Sequence, residues 1–410
     1  MWLRWLPLCT CLSSLISFVL PKAVPNGSAW EPTRSLIRRF DLLYVISSHE
    51  AGNWNFSEST NLSEVLLVMK KTENPSEQET VFVNLWEQPR TSAEAVTLVR
   101  AIESVTPANL QENAGTSELR TNGHKYGEMI ALSLRRNPDI SWVIPAAFAQ
   151  TDLCRSAFHL SKGSVSYPGM GLVGKIPLVR LDAVTELGPD GRDVDDGFSL
   201  TESPTPYRAY WGYDAESVQT LRQASNQYLN LLTRARPRRH LRSPNLLWSR
   251  AGSLMLPKEL RLTTSCLSAV VLPHRALSNV WWPAGWLPGD DKEQREMERR
   301  LALWFNSTLG LFQLLMQRQE TEGPWSKFSK AWYEELRVLD LRALSAEHLK
   351  SIDDLWDSVS DRRFLRMPDM ATDPVRSEID ETFATILGIP PLGDFRDMLA
   401  REPLFTRSAI

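Results

Sequence analysis

The stretch "FVLPKAVPNGSAWEPTRSLIRRFDLLYVISS" (Phe18–Ser48), with "NWNFSESTNLSEVLLVMKK" (Asn53–Lys71) after it, decides the fold class of this chain. Three short apolar runs, Ser17–Pro21, Phe40–Ile46 and Glu64–Met69, are continuous rather than alternating, which is the pattern of strands covered on both faces. Ser28 and Glu31 have capping-box spacing, and Trp30, Leu36, Ile37 and Phe40 follow on one helical face. The order predicted is therefore strand, helix, strand, strand. A polar loop, "SSHEAGNWNFSESTNLS" (Ser47–Ser63), separates the last two strands and carries Trp54 and Phe56 at its centre.

Outward from this unit, Thr91 and Glu94 form a second capping box, opening a helix that runs to about Val105. Residues 108–290 change character. Turn formers punctuate short strand-like runs such as "LVGKIPLVRLDAV" (Leu172–Val184) and "KELRLTTSCLSAVVLP" (Lys258–Pro273), an irregular α+β pattern. One long helix is predicted inside it, from Asp214 to about Arg234. After Asp290 the chain turns helical, with Met297, Leu301, Trp304, Phe305, Leu309, Phe312, Leu315 and Met316 on one stripe. A last helix is capped by Asp373, started by Pro374 and stopped by Gly388 and Pro390. Three regions follow: 1–107, 108–290 and 291–410.

The composition is that of an ordinary globular protein, with 42% hydrophobic and 23% charged residues, so the chain has enough apolar material for packed cores. A net charge of −3 excludes a uniformly basic coat but leaves room for local basic patches. Four cysteines in 410 residues are too few for a disulfide scaffold, and no Cys/His set has zinc-ligand spacing. The apolar start from Trp5 to Leu20 has the look of a secretory signal with Arg4 as its basic region, but it is shorter than the roughly 20 residues of a membrane span and contains Pro7. Asn-x-Ser/Thr triplets stand at Asn26, Asn55, Asn61 and Asn306, the last within a helical pattern that leaves no room for a glycan. The expectation is a cytoplasmic protein, with secretion as the alternative.

Two strings imitate binding motifs. "GMGLVG" (Gly169, Gly171, Gly174) has dinucleotide-loop spacing, but a strand-like segment follows where a helix must open, so it reads as a glycine-rich turn. Asp190, Asp193, Asp195 and Asp196 lack the alternate spacing and distal Glu of a calcium loop and read as a surface turn. The most pointed charge feature is "RARPRRHLRSPNLLWSR", in which Arg234, Arg236, Arg238, Arg239 and Arg242 crowd beside Trp248. Guanidinium forks grip phosphates bidentately, so the run suits a DNA backbone; it equally suits a solvated loop.

Together, the Phe18–Ser48 and Asn53–Lys71 segments resemble the part of N6-adenine DNA methyltransferases of restriction–modification systems that follows the catalytic motif. "LALWFNSTLGLFQLLMQRQETEGPWSKFSKAWYEELRVLDL" (Leu301–Leu341) is similar to the end of a target-recognition region, and "LGPDGRDVDDGF", "LSNVWWP" and "FRDMLAREP" fit the same class. The resemblance spans roughly residues 16–404. It implies an α/β remnant of a Rossmann-like methyltransferase sheet, then an α+β target-recognition region and a helical C-terminus. It also implies that Phe56, with Trp54 as the near alternative, stacks on an adenine flipped out of the duplex. A polar loop with central aromatics suits that role on physical grounds too.

The family's cofactor is S-adenosylmethionine, bound at a glycine-rich turn, and its chemistry depends on an Asn-Pro-Pro-aromatic motif. Neither lies in this sequence, whose one Pro-Pro pair, Pro390–Pro391, follows Ile389. The resemblance places both before residue 16. The expected partners are double-stranded DNA and a separate chain supplying the catalytic half, with no metal and no membrane. The alternative is a stand-alone DNA-specificity protein that guides a separate methylase or nuclease.

Overall fold

The computed structural model describes residues 14–22, 30–52, 54–57, 63–72, 79–105, 110, 117–132, 147–212, 214, 217–320 and 325–406. The protein is a mixed α/β chain that divides into two compact units. One comprises residues 1–173, 315–326 and 401–410; the other comprises 174–314 and 327–400.

The first unit is built on β1 (Leu15–Pro21), α1 (Glu31–Ile37), β2 (Phe40–Ser48), β3 (Glu64–Lys71), β4 (Thr80–Leu85), α2 (Ser92–Glu103), β5 (Ser117–Thr121) and β6 (His124–Leu132). The six strands form one sheet in the order β1-β3-β2-β4-β6-β5. β3 lies antiparallel between β1 and β2, so those two run the same way, and β4 is parallel to β2. β4 is buried along its whole length, as a central strand covered on both faces must be. Alternation of its side chains splits the core in two. Phe82 joins Ile37, Phe40, Val45, Leu67 and Met69 in the cluster that α1 covers. Val81, Val83 and Leu85 join Leu98 and Ile102 of α2 in the other.

The strands expected at 17–21, 40–46 and 64–69 are thus present, and so is the Thr91 capping box: the Thr91 side chain accepts from the Glu94 N–H while the Glu94 carboxylate takes the Thr91 N–H. Ser28 of the first expected box lies outside the described residues; α1 begins at Glu31 without a side-chain cap on Trp30.

The sheet is followed by α3 (Thr151–Leu160) and the hairpin of β7 (Ser164–Tyr167) and β8 (Gly171–Lys175). The N-terminus of α3 is capped from afar. The buried Glu402 carboxylate accepts from the N–H groups of Ala149 and Gln150 at 2.9 and 3.0 Å, and Glu128 accepts from the Thr151 N–H at 2.9 Å. Carboxylates are favoured there by the orphan N–H groups and the helix dipole.

The second unit centres on a seven-stranded sheet, in the order Thr185–Leu187, Trp281–Trp286, Gly252–Pro257, Val270–Ser278, Arg208–Tyr210, Gln227–Leu231 and Phe198–Thr201. The helix expected from Asp214 to Arg234 is not formed. Among the described residues, that segment is a loop leading into the strand Gln227–Leu231. Side chains there bond the local backbone, as Ser217 Oγ does to the Asp214 carbonyl and Gln223 Nε2 to the Thr220 carbonyl, offering it an alternative to helical bonds. The Leu221 carbonyl and the Gln223 N–H are both taken by Val271.

Helices α4 (Asp291–Asn306), α5 (Ala346–Val359) and α6 (Pro374–Leu387) close the unit. The α6 boundaries are those the sequence predicts: Asp373 accepts from the Val375 and Arg376 N–H groups, and Gly388 adopts φ +63°. Asn306 is wholly buried, its side chain bonded to Ser268, Ala269 and Ala302, so its triplet has no room for a glycan. No helix among the described residues is long and apolar enough to cross a membrane.

Candidate functional site

In an open sheet with parallel strands, the loops at the carboxyl ends of those strands make the natural crevice for a ligand. Here β1, β2 and β4 point the same way, so Lys22, residues 48–52 and 54–56, and Trp86–Gln88 follow the same ends of those strands. The Lys22 N–H donates to the Ser63 carbonyl at 2.8 Å, and its Nζ lies 3.4 Å from the Ser48 carbonyl. The His49 N–H continues the β2–β4 ladder by donating to the Leu85 carbonyl at 2.8 Å.

The loop carrying the two aromatics is tied down at several points. The Glu64 carboxylate accepts from the N–H groups of Phe56 and Ser57, both at 2.8 Å, and from Ser57 Oγ at 2.9 Å. The Trp54 carbonyl accepts from the Glu64 N–H at 2.9 Å, and Gln88 Nε2 donates to the Asn55 carbonyl at 2.7 Å. Glu50 takes the Gln88 N–H at 2.9 Å and pairs with Arg90. Phe56 is half-buried, packed against the α2-side cluster; Trp54 is also half-buried. The structure thus places both aromatics after β2, at the carboxyl ends of parallel strands, in the described segment 54–57, whose backbone is hydrogen-bonded to Glu64 and Gln88.

Behind the loop lies a polar chain that sequence reading did not single out. Ser47 Oγ is 3.0 Å from His49 Nε2 and donates to Asn84 Oδ1 at 3.0 Å, while Asn84 Nδ2 reaches Cys154 Sγ at 3.3 Å. All four side chains are buried. Burial drives the Cys154 thiol far above its ordinary pKa, and the charge of Glu402 adds to this. Burial thus disfavours the thiolate, and the Cys154 thiol donates to the Phe148 carbonyl at 3.2 Å. The chain's evident effect is to hold the ends of β2 and β4 in register.

In the second unit the arginine run is exposed, and it meets the acidic turn. Arg239 Nη2 donates to Asp196 Oδ2 at 2.8 Å, Arg242 pairs with Asp193 at 2.8 Å, and Arg236 lies 3.8 Å from Asp195. Asp190 caps the short helix Gly191–Val194 and pairs with Lys258 at 3.1 Å. Sequence reading treated the two segments apart, because nothing in either one names the other. Among the described residues, Arg234 and Arg238 form no ion pair, and Arg238 projects from a backbone at φ +62°. No group of three or more His, Cys, Asp or Glu residues among the described ones is placed to hold a metal.

Of the "GMGLVG" string, Gly169 and Met170 lie in the turn between β7 and β8 and Gly171–Gly174 in β8; it opens no helix, as its reading as a glycine-rich turn rather than a cofactor loop expects.

No family model matches the chain, and no curated protein matches it. Among solved structures, one described as the type IIG restriction endonuclease BpuSI is similar with a TM-score of 0.40 and 12% identity, covering 95% of this chain and 46% of that one. The chain spans a little under half the length of that protein.

Proposed function

We propose that the chain is the DNA-recognition portion of an S-adenosylmethionine-dependent N6-adenine DNA methyltransferase of restriction–modification type. The glycine-rich donor turn and the Asn-Pro-Pro-aromatic motif are not among its 410 residues, so in this reading they reside on a preceding segment or a separate chain, and these residues alone transfer no methyl group.

The observation that carries the reading is the state of β1. It is the outermost strand of its sheet among the described residues, and its run Leu15–Leu20 carries no charge, with Pro21 and Lys22 only at its end. Leu15 is 67% and Val19 41% exposed. Natural sheets blunt such edges with Lys, Pro or a bulge. An apolar run at the edge, paired on its inner side with the antiparallel β3, suits further strands of a larger sheet, which is what the resemblance implies for the missing half. In this reading Phe56, or Trp54, stacks on the flipped adenine, as the resemblance implies, and the arginines from Arg234 to Arg242 track phosphates.

The test is to incubate the purified chain with a mixed-sequence duplex and isotopically labelled S-adenosylmethionine. The duplex binds at low salt and no label enters it. Methyl incorporation by the chain alone would contradict the assignment of chemistry elsewhere; absence of duplex binding would contradict the DNA reading itself.

A further inference from the structure

The segment leading into α3 is held by three parts of the chain that are far from it in sequence. Residues 147–150 form neither helix nor strand, so their course depends on the partners their backbone finds. Arg318 donates from Nη2 to the Ala147 carbonyl at 2.8 Å. Trp86, the residue after β4, donates from Nε1 to the Ala149 carbonyl at 2.9 Å. Gln150, at the N-cap of α3, supplies no side-chain cap of its own. Glu402 does so instead, taking the Ala149 and Gln150 N–H groups and also Gln150 Nε2 at 3.0 Å.

Ala149 is therefore clamped through both of its backbone groups, the N–H by Glu402 and the carbonyl by Trp86. Ala149 and Glu402 are wholly buried, so a bond lost between them is not replaced by bulk water. Pro403, Leu404 and Phe405 are buried too, and the carboxylate is thus carried by an anchored segment.

Trp86 connects this clamp to the aromatic loop. Its N–H donates to the Tyr126 carbonyl at 2.7 Å, and the Lys125 ammonium lies 4.0 Å from the centre of its ring. Two residues on, the Gln88 N–H is held by Glu50, and the Gln88 side chain holds the Asn55 carbonyl, next to Phe56. Every residue on this route belongs to the same compact unit.

We propose that Glu402 is a positioning residue for the aromatic loop. Its carboxylate sets Ala149, Ala149 sets the Trp86 indole, and the segment from Trp86 to Gln88 sets Asn55 and Phe56. The segment that begins at Glu402 is a clasp whose seating governs how firmly the loop is held. This concerns how the loop is held, whatever it binds, so it stands or falls apart from the DNA reading.

The test is residue-resolved amide hydrogen exchange on the full chain and on its Glu402→Gln, Trp86→Phe and double variants, with no DNA present. Glutamine keeps the shape of Glu402 but turns one acceptor towards its donors as an NH2 group, and phenylalanine removes the indole N–H while keeping an aromatic ring. The fully buried Phe82 and Val83 of β4 report global opening. Each single variant speeds exchange at Gln88 and Phe56 by at least about tenfold beyond any change at Phe82 and Val83. The double variant exchanges there no faster than the faster single one, as two links of one route require. Acceleration at Gln150 and Thr151 that stops short of Gln88 and Phe56 makes Glu402 a cap on α3 alone and overturns the proposal. So does acceleration at Gln88 and Phe56 that is no larger than at Phe82 and Val83, or a double variant in which the two effects multiply. The Trp86→Phe variant reads the second link with Glu402 in place, and unchanged exchange at Gln88 there overturns the route by itself.

Discussion

Glu64, the first residue of β3, holds the backbone of Phe56 through a 2.8 Å hydrogen bond from the Phe56 N–H to its Oε2. The same oxygen takes the Ser57 N–H, so the carboxylate acts as the anchor of the aromatic loop. Bonds to an ionised acceptor contribute roughly 1.5–3 kcal/mol each. Replacing Glu64 by Ala is expected to speed amide hydrogen exchange at Phe56 and Ser57 by at least about tenfold, with β4 amides unchanged. Equal protection in the variant would show that packing of the Phe56 ring alone fixes the loop.

The arginine run makes a separate prediction, because three of its guanidinium groups already have internal partners. Replacing Arg234 and Arg238 by Ala is expected to reduce the salt slope of duplex binding by about 0.9 for each phosphate that is no longer neutralised. Conversely, D193N/D195N releases Arg242 and Arg236 and is expected to strengthen duplex binding at low salt. Asp196 is left in place there because it is buried and anchors Arg239. An unchanged slope in the Arg234/Arg238 double variant removes those residues from the interface.

Arg376 is wholly buried, donating from Nη1 to the Asn306 carbonyl at 2.7 Å and from Nη2 to the Cys266 carbonyl at 2.9 Å. Asp373 stands 3.9 Å away and shares its burial. Truncation to Ala leaves two carbonyls and a carboxylate without this cation. The expected drop in unfolding free energy is about 3–5 kcal/mol, read from urea denaturation. A drop below about 1 kcal/mol, the scale of one ordinary hydrogen bond, would mean that the site closes over or admits water.

Glu402 sets a pH dependence. Burial raises its pKa to about 7, against the pull of the three N–H donors from Ala149 and Gln150 and the charge of Arg318. The folded state thus holds this proton more tightly than the unfolded chain. The contribution to stability is present below the unfolded value, near 4.5, and is lost as pH rises towards about 7. Glu402→Gln is expected to lower the thermal midpoint, because an amide presents an N–H to one of the donors, and to flatten the profile between those two pH values. A variant profile with the parent's slope assigns the titration to another group.

Much of the first sheet was legible because its inner strands are apolar and largely buried, and continuous apolar runs such as Leu42–Ile46 have few other uses; β1, read as buried like them, instead exposes Leu15 and Val19 because it lies at the edge. The Thr91–Glu94 box and the Asp373, Pro374 and Gly388 boundaries were legible because caps are local chemistry. What escaped was set by partners distant in sequence. The 214–234 segment is held by Val271 on one side and its own side chains on the other, and a helical pattern carries no sign of either. The caps that Glu402 and Glu128 place on α3 reach across 252 and 23 residues. The pairing of the arginine run with the acidic turn is of the same kind, visible only once Arg239 and Asp196 stand side by side. Phe56 and Trp54 were singled out by the resemblance and by their place in a polar loop, and that loop follows β2, at the carboxyl ends of parallel strands.

The most direct measurement of the central claim is the affinity of the purified chain for a mixed-sequence duplex across a series of salt concentrations. The account predicts that the logarithm of the association constant falls linearly with that of salt, at about 0.9 per phosphate neutralised, and that the slope shrinks when Arg234 and Arg238 are replaced. Binding that does not depend on salt, or none at low salt, would contradict it.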